Sequence, residues 1–286
     1  MLIRLESVTY TYDPKTVYKS DAVKNISLEI DKNEYAGIIG HTGSGKSTLV
    51  QLFNGLMKPS SGHVFYDEKD IWGEGYDRRA LRSHVGLVFQ YPEHQFFEAT
   101  VFEDVCFGPK NLKLSEEEVK NRAVRSLKDT GVPESIFFKS PFEISGGLKR
   151  RVAIAGVLAM EPEVLILDEP AAGLDPKGKR EILGLISDLH KKRGITVILV
   201  SHSMEDIAEY TDRLIVLNKG EKVFDGSTRE VFLHYKELEK MSLAAPQVTY
   251  IMHALKEKGL DTDVSAITVE EAKRSVLEAL RRCCRC

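Results

Sequence analysis

The sequence predicts an α/β protein with a mixed sheet core, an N-terminal antiparallel β subdomain, a helical insertion and a small C-terminal helical appendix. Three observations carry that expectation. Gly40-His41-Thr42-Gly43-Ser44-Gly45-Lys46-Ser47 lies between an apolar run, Tyr35 to Ile39, and a helical start at Thr48-Leu49-Val50-Gln51-Leu52. Val164 to Leu167 and Ile195 to Val200 are continuous apolar runs, the pattern of strands buried on both faces of a parallel sheet. Between them Arg180, Ile182, Leu183, Leu185, Ile186 and Leu189 keep helical spacing, which makes a strand–helix–strand unit.

In chain order, Leu2 to Glu6 and Val23 to Ile30 alternate apolar and polar residues, and Asp13-Pro14 turns between them. Lys58 to Gly62 is a turn, after which His63 to Tyr66 resumes a strand, and Val85 to Phe89 is a short apolar strand ending at Gln90. From Thr100 to Phe138 the spacing is helical; Ser115-Glu116-Glu117-Glu118 is a capping entry and Gly131-Val132-Pro133 a stop. Helical spacing resumes after Ser145-Gly146-Gly147, so a helical subdomain is expected at about 92–160. Leu214 to Leu217, Gly220 and Val223-Phe224 form a closing hairpin. Beyond Tyr235 the strand pattern stops, and Pro246 to Lys258 and Thr268 to Arg282 carry apolar residues at helical spacing. The expected division is a main domain at 1–235 and an appendix at 236–286.

Composition excludes several classes. With 42% hydrophobic and 29% charged residues the 286-residue chain has a globular balance, and a formal net charge of −3 gives no sign of a general polyanion binder while leaving local basic patches open. No apolar run approaches the roughly 18 residues of a membrane span, and Met1 to Leu5 lacks the basic-then-apolar form of a signal peptide. Three of four cysteines, Cys283, Cys284 and Cys286, crowd the end without zinc-ligand spacing, while Cys106 stands alone; no function is assigned to them.

The glycine-rich segment carries the first chemistry. Glycines admit backbone angles that let successive N–H groups point at a phosphate chain, and the helix start adds unpaired donors and partial positive charge. In this spacing residues 40–48, Gly40 to Thr48, form the nucleotide site, with Lys46 reaching the β- and γ-phosphates and Ser47 a Mg²⁺ ligand. A nucleoside triphosphate is the expected ligand. Leu165-Ile166-Leu167-Asp168-Glu169-Pro170 ends an apolar strand in two carboxylates. Asp168 suits Mg²⁺, a hard cation that takes oxygen ligands, and Glu169 suits a base that polarises the attacking water. His202, beyond the strand ending at Val200, sits at another carboxyl edge and would touch the γ-phosphate.

Taken in order, the phosphate loop, Gln90, Ser145-Gly146-Gly147, Leu165 to Pro170, Gly173-Leu174-Asp175 and His202 resemble the ATPase subunits of ABC transporters over about the first 235 residues. The resemblance implies a P-loop NTPase fold of the ABC ATPase type, ATP and Mg²⁺ as ligands, and two subunits that sandwich ATP. It implies that Tyr12 stacks on adenine, with Tyr10 as the neighbour able to replace it, and that Gln90 contacts Mg²⁺ and the attacking water. It also implies that Ser145, Gly146 and Gly147 bind the γ-phosphate of the partner's nucleotide and that Asp175 links the two sites. Leu148 departs from the family's glutamine, and Ala171 from its threonine or serine.

Gln90-Tyr91-Pro92-Glu93-His94-Gln95-Phe96-Phe97, Thr100 to Val105 and Phe107-Gly108-Pro109-Lys110-Asn111-Leu112 resemble, more narrowly, the second of two ATPase isoforms in energy-coupling factor transporters. This implies a non-identical ATPase partner, a transmembrane coupling subunit, a substrate-binding membrane subunit, no nucleic acid, and a peripheral place on the cytoplasmic face of the cell membrane. The expected function is ATP hydrolysis that drives import of vitamins or other micronutrients. A cobalt or nickel importer of the same family and a soluble ABC-type ATPase are the alternatives. Exposed aromatics around Phe96 and Phe97 would receive a helix of the coupling subunit, and the tail helices would help hold the ATPases together.

Overall fold

The computed structural model describes residues 1–92 and 95–283; Glu93, His94, Cys284, Arg285 and Cys286 lie outside the described residues, as does the side chain of Cys283. Two sheets share one core. The first is antiparallel, in the order β2-β1-β4-β5, from β1 (Ile3–Tyr12), β2 (Ser20–Ile30), β4 (Ser61–Tyr66) and β5 (Lys69–Asp70). Alternation, interrupted by an irregularity at Ser7 and Asn25, both at φ 48, puts Ile3, Leu5, Val8, Val23, Ile26, Leu28 and Ile30 on the buried face. Strands β1 and β2 run further than the sequence pattern suggests, to Tyr12 and from Ser20, because backbone pairing continues where the side chains are already exposed.

The second sheet runs β10-β9-β3-β8-β7-β6, from β3 (Tyr35–Ile39), β6 (Val85–Val88), β7 (Val164–Asp168), β8 (Thr196–Val200), β9 (Arg213–Asn218) and β10 (Glu221–Ser227). All pair in parallel except β10, which turns back on β9. Every residue of β3, β7 and β8 is buried. Ile38, Val164, Ile166, Ile198 and Val200 pack toward helix α1 (Lys46–Phe53) and the antiparallel sheet. Leu165, Leu167, Val197 and Leu199 pack toward α6 (Pro176–Arg193) and α7 (Met204–Tyr210). Each such side chain contributes about 1.5–3 kcal/mol by leaving water, and Ile166→Ala would cost about 2–5 kcal/mol with its cavity.

Between β6 and β7 come α3 (Val101–Lys110), α4 (Glu116–Asp129) and α5 (Gly146–Leu158). Thr100, Ser115 and Ser145 cap them, each side-chain oxygen accepting a main-chain N–H three residues on. Val101, Val105, Val119, Ala123, Leu127, Val132, Val152 and Ala155 form their own core. Ile154 and Leu158 of α5 belong instead to the core beneath β7, so α5 joins the helical layer to the sheet. A short helix the sequence pattern did not suggest, α2 (Arg78–His84), precedes β6 and is capped by Asp77.

The last segment holds α8 (Thr228–Leu233), α9 (Tyr235–Lys240), α10 (Gln247–Glu257) and α11 (Val269–Cys283). Val248, Met252 and Ala266, with Leu255, Ala272 and Val276 against them, form a small separate core. Arg229 of α8 latches this pair of helices by donating to the Ser265 carbonyl and the Glu271 carboxylate. Ile251, Val269, Leu277 and Leu280 remain exposed.

Candidate functional site

Strand register gathers the chemistry at one sheet edge. Ile38 is level with Val200, and Asp168 with Val200, across the adjacent strands β3, β8 and β7. Gly40, Glu169 and His202 therefore leave the carboxyl ends of neighbouring strands together, where α/β sheets bind ligands. Gln90 lies two residues past β6, whose Val88 pairs with Leu167, so it emerges at the same edge; it is exposed.

The loop needs its glycines for two reasons. Gly45 has φ 101 and caps α1, and a Cβ there would run into the Ala22 carbonyl oxygen. Gly40 is packed so closely that a Cβ would meet Leu217 O and Ser44 Oγ. His41 Nε2 lies 3.1 Å from Asn218 Oδ1 at the end of β9, and Ser44 O accepts from Gly220 N, so the hairpin braces the loop. Thr42 and Gly43 are exposed at its tip. Lys46 is buried, and its Nζ donates to Gly40 O at 2.7 Å and His41 O at 3.1 Å across the loop mouth. Burial pulls the Lys46 pKa below its ordinary value, against the charges of Glu169 and Asp168.

Asp168 is buried, which raises its pKa, while a Ser47 side-chain hydrogen bond and the Lys46 charge oppose the rise. Glu169 follows in a left-handed backbone conformation, φ 53, with its N–H donating to Val200 O at 3.0 Å. Such backbone in a residue other than glycine is strained and persists where its surroundings hold it. Burial pushes the Glu169 carboxyl up to about 7, a main-chain hydrogen bond from His202 tempering the effect and the Asp168 charge adding to it. Glu169 Oε1 is 3.3 Å from His202 Nε2, a close approach with no aligned donor on that oxygen among the described residues. Burial and the Lys46 charge lower the His202 pKa, so its imidazole is neutral at pH 7.

Tyr12 ends β1 beside this loop: its hydroxyl lies 3.1 Å from Thr48 Oγ1 on α1, and Tyr10 packs edge-on at 4.9 Å. Tyr12 is 38% exposed. Ser145 and Gly146 are exposed, Gly147 is half-buried, and a Cβ on either glycine would meet nothing within 4 Å. Nothing among the described residues demands glycine there. Leu148 turns its side chain onto the helical core, so the position has exchanged a polar surface group for packing. Asp175 is exposed and caps α6 by accepting from Gly178 N.

Two arrangements escaped the motif reading. Arg150 is 2% exposed and donates to the carbonyls of Glu169, Pro170 and Ala172. Lys179 reaches from α6 to Asp206 at 2.8 Å and Ser203 at 3.0 Å, fixing the start of α7 behind His202. Beside them Glu169, Ala171, Leu183, Leu199, Ser201 and His202 line a cleft of about 300 Å³. Arg150 was legible in principle: it stands four residues before Ile154 and eight before Leu158, on the buried stripe of α5.

A second groove of about 440 Å³ lies between the sheet and the helical layer, lined by Arg79, Arg82, Phe97, Asp104, Phe107 and Met160 among others. The expected pair of exposed aromatics is halved. Phe96 is 8% exposed in the helical core, whereas Phe97 is 61% exposed and packs edge-on against Phe107 at 4.6 Å.

Residues 23–172 match the family described as ABC transporter. The chain belongs to that family. A Clostridium tetani protein named energy-coupling factor transporter ATP-binding protein EcfA2 is 53% identical over 97% of each chain. The Streptococcus pyogenes protein of the same name is 46% identical over 96% of this chain and 98% of its own. Among solved structures, cbiO1 of Clostridium perfringens, part of the ABC transporter complex cbiONQ, has a TM-score of 0.74 at 41% identity, covering 89% of this chain and 98% of that one. The ATP-binding cassette MJ0796, solved as a dimer in a post-hydrolysis state bound to ADP and Pi, has a TM-score of 0.69 at 30% identity, covering 79% and 99%. Within the ABC transporter family this chain is an ATP-binding, ATP-hydrolysing subunit of the energy-coupling factor type. No helix among the described residues is long and apolar enough to cross a membrane.

Proposed function

We propose that this chain is one half of an ATPase pair that energises import of vitamins or other micronutrients, on the cytoplasmic face of the cell membrane. The observation that carries this reading is the division of the site. Lys46, Ser47, Asp168, Glu169 and His202 converge at one sheet edge, while Ser145 and Gly146 are exposed and a Cβ on Gly146 or Gly147 would meet open space among the described residues.

In this reading the N–H groups of the loop from Gly40 to Ser47, with Lys46, hold the β- and γ-phosphates, Thr48 lies in the first turn of α1 behind them, and Tyr12 stacks on adenine. The donor set fits Mg²⁺: Ser47 and Asp168 are already joined by a hydrogen bond, and Gln90 emerges beside them, an all-oxygen set. When bound, the ion would neutralise charge on the β- and γ-phosphates. Glu169 takes a proton from the attacking water on its carboxylate; a pKa pushed up to about 7 suits a base working near neutral pH. Neutral His202, whose Nε2 lies 3.3 Å from Glu169 Oε1, orients that water and the γ-phosphate. Ser145, Gly146 and Gly147 offer the N-terminus of α5 to the partner's nucleotide, and Asp175 carries contact between the two sites.

The groove beside Phe97 and Phe107 receives the transmembrane coupling subunit, which in turn carries a substrate-binding membrane subunit. The appendix from about 236, with Ile251, Val269, Leu277 and Leu280 exposed, contributes to the contact between a non-identical pair of ATPases. Purifying the tagged chain from membranes and identifying what travels with it tests the assignment. A second ATPase and a membrane-spanning chain are expected. Recovery without any membrane-spanning chain would sink it.

A further inference from the structure

Arg150 lies one turn into α5, four residues after Gly146, and is 2% exposed. Its Nη1 donates to Glu169 O at 3.3 Å and Pro170 O at 3.0 Å, and its Nη2 to Ala172 O at 3.2 Å. Burying a guanidinium is unfavourable unless its donors are met, and an aliphatic residue on this stripe would pack α5 without that cost. What an aliphatic residue lacks is a planar fork able to grip several carbonyls at once. The carbonyls it grips belong to the segment that holds Glu169 at φ 53, a conformation that must be held from outside. The other end of the same helical turn is the exposed loop Ser145-Gly146-Gly147.

We infer that Arg150 is a positioning residue through which occupation of the Ser145 to Gly147 loop sets the placement of the Glu169 carboxylate. The inference rests on the reading of Glu169 as the base and of that loop as the seat of the partner's nucleotide. A rigid helix that shifts at its N-terminus moves the side chains one turn in with it, and the fork carries the shift to the carbonyls of Glu169, Pro170 and Ala172. Besides a main-chain hydrogen bond from His202, Glu169 Oε1 has no aligned donor among the described residues, so the carboxylate follows its own main chain. The two sites of a dimer are thereby linked: nucleotide on the partner acts on the base of this chain. Leu148, packed into the helical core on the same turn, stiffens the connection.

The test uses the assembled pair with the partner's own catalytic glutamate changed to glutamine, so that only this chain's site turns over. Arg150→Lys keeps the cation but loses the fork; Arg150→Met keeps the packing alone. Both are expected to bind ATP within about twofold of wild type while kcat falls about tenfold or more with KM little changed, since a misplacement of about 1 Å can cost about a hundredfold. Cooperativity in ATP should be lost as well. A purely structural residue would lower thermal stability and nucleotide binding together without that split. Arg150→Lys with wild-type kcat and undiminished cooperativity would overturn the inference. So would failure of both variants to fold, since Arg150 would then be a structural element. Glu169→Gln in the same assembly separates the two claims: if it turns over normally the base assignment fails, whereas its inactivity beside a fully active Arg150→Lys removes only the role of Arg150.

Discussion

Replacing Glu169 by glutamine should separate three quantities that usually change together. The carboxyl is pushed from 4.5 up to about 7 mainly by burial, which at neutral pH costs the fold at most about 3 kcal/mol. Solvent at the cleft screens this to about 1–2 kcal/mol. The sign follows from proton binding: the folded state holds its proton to a higher pH than the unfolded chain, so the group is stability-neutral below 4.5 and increasingly unfavourable as pH rises through about 7. Glu169→Gln removes that cost, so its Tm should exceed the wild type's by roughly 2–6 °C at pH 8 and match it at pH 4. ATP binding should change little, because the substitution removes none of the donors that hold the phosphates, Lys46 and the main chain of the loop from Gly40. Turnover should fall about 10²–10⁴-fold, the share of a positioned base. The assays are thermal unfolding at both pH values, equilibrium ATP binding, and steady-state hydrolysis by the assembled pair with the partner's site inactivated. Hydrolysis within about threefold of wild type would refute the base assignment, and a Tm gain equal at pH 4 and pH 8 would refute the origin of the stability term.

Other perturbations follow from the same geometry. Lys46→Ala should weaken ATP binding by about 10–100-fold, the equivalent of one or two charge-assisted hydrogen bonds, measured by equilibrium titration. Leu148→Gln should cost about 1 kcal/mol through lost packing of a half-buried leucine and raise turnover at the partner's nucleotide more than at this chain's own, read by inactivating each site in turn. Arg229→Met should release the appendix, seen as faster proteolysis between α10 and α11 and weaker pairing of the ATPases. Burial raises the Glu271 pKa, but hydrogen bonds from Ile267 N and Arg229 outweigh it and hold the value low. The latch is therefore fully present above the ordinary Glu pKa and is lost as pH falls through the lowered one; a wild-type chain whose appendix loosens only above neutral pH would contradict this.

Much of the architecture was legible because buried parallel strands and amphipathic helices write themselves as apolar runs and 3.6-residue spacing. Val164 to Leu167 is such a run, and the α10 and α11 faces follow such spacing. The phosphate loop was equally plain, since Gly45 has no tolerable substitute where Ala22 O closes over it. What stayed hidden were contacts whose partners are main-chain atoms or distant in sequence. Arg150 binds three carbonyls, which no motif records, and Lys179 meets Asp206 through a fold in which α6 and α7 are neighbours. Phe96 and Phe97 show the limit from the other side: adjacent phenylalanines in an irregular segment have no periodicity to say which points inward, and packing against α3 and α5 buries the first.

The central claim is that the site on this chain is half of one, completed by another ATPase. Hydrolysis measured as a function of concentration, first for the chain alone and then titrated with the second ATPase, tests it most directly. The account predicts a low rate for the dilute chain alone and a rise that saturates at one partner per chain. Full-rate hydrolysis by a monomer, independent of concentration and unaffected by the partner, would contradict it.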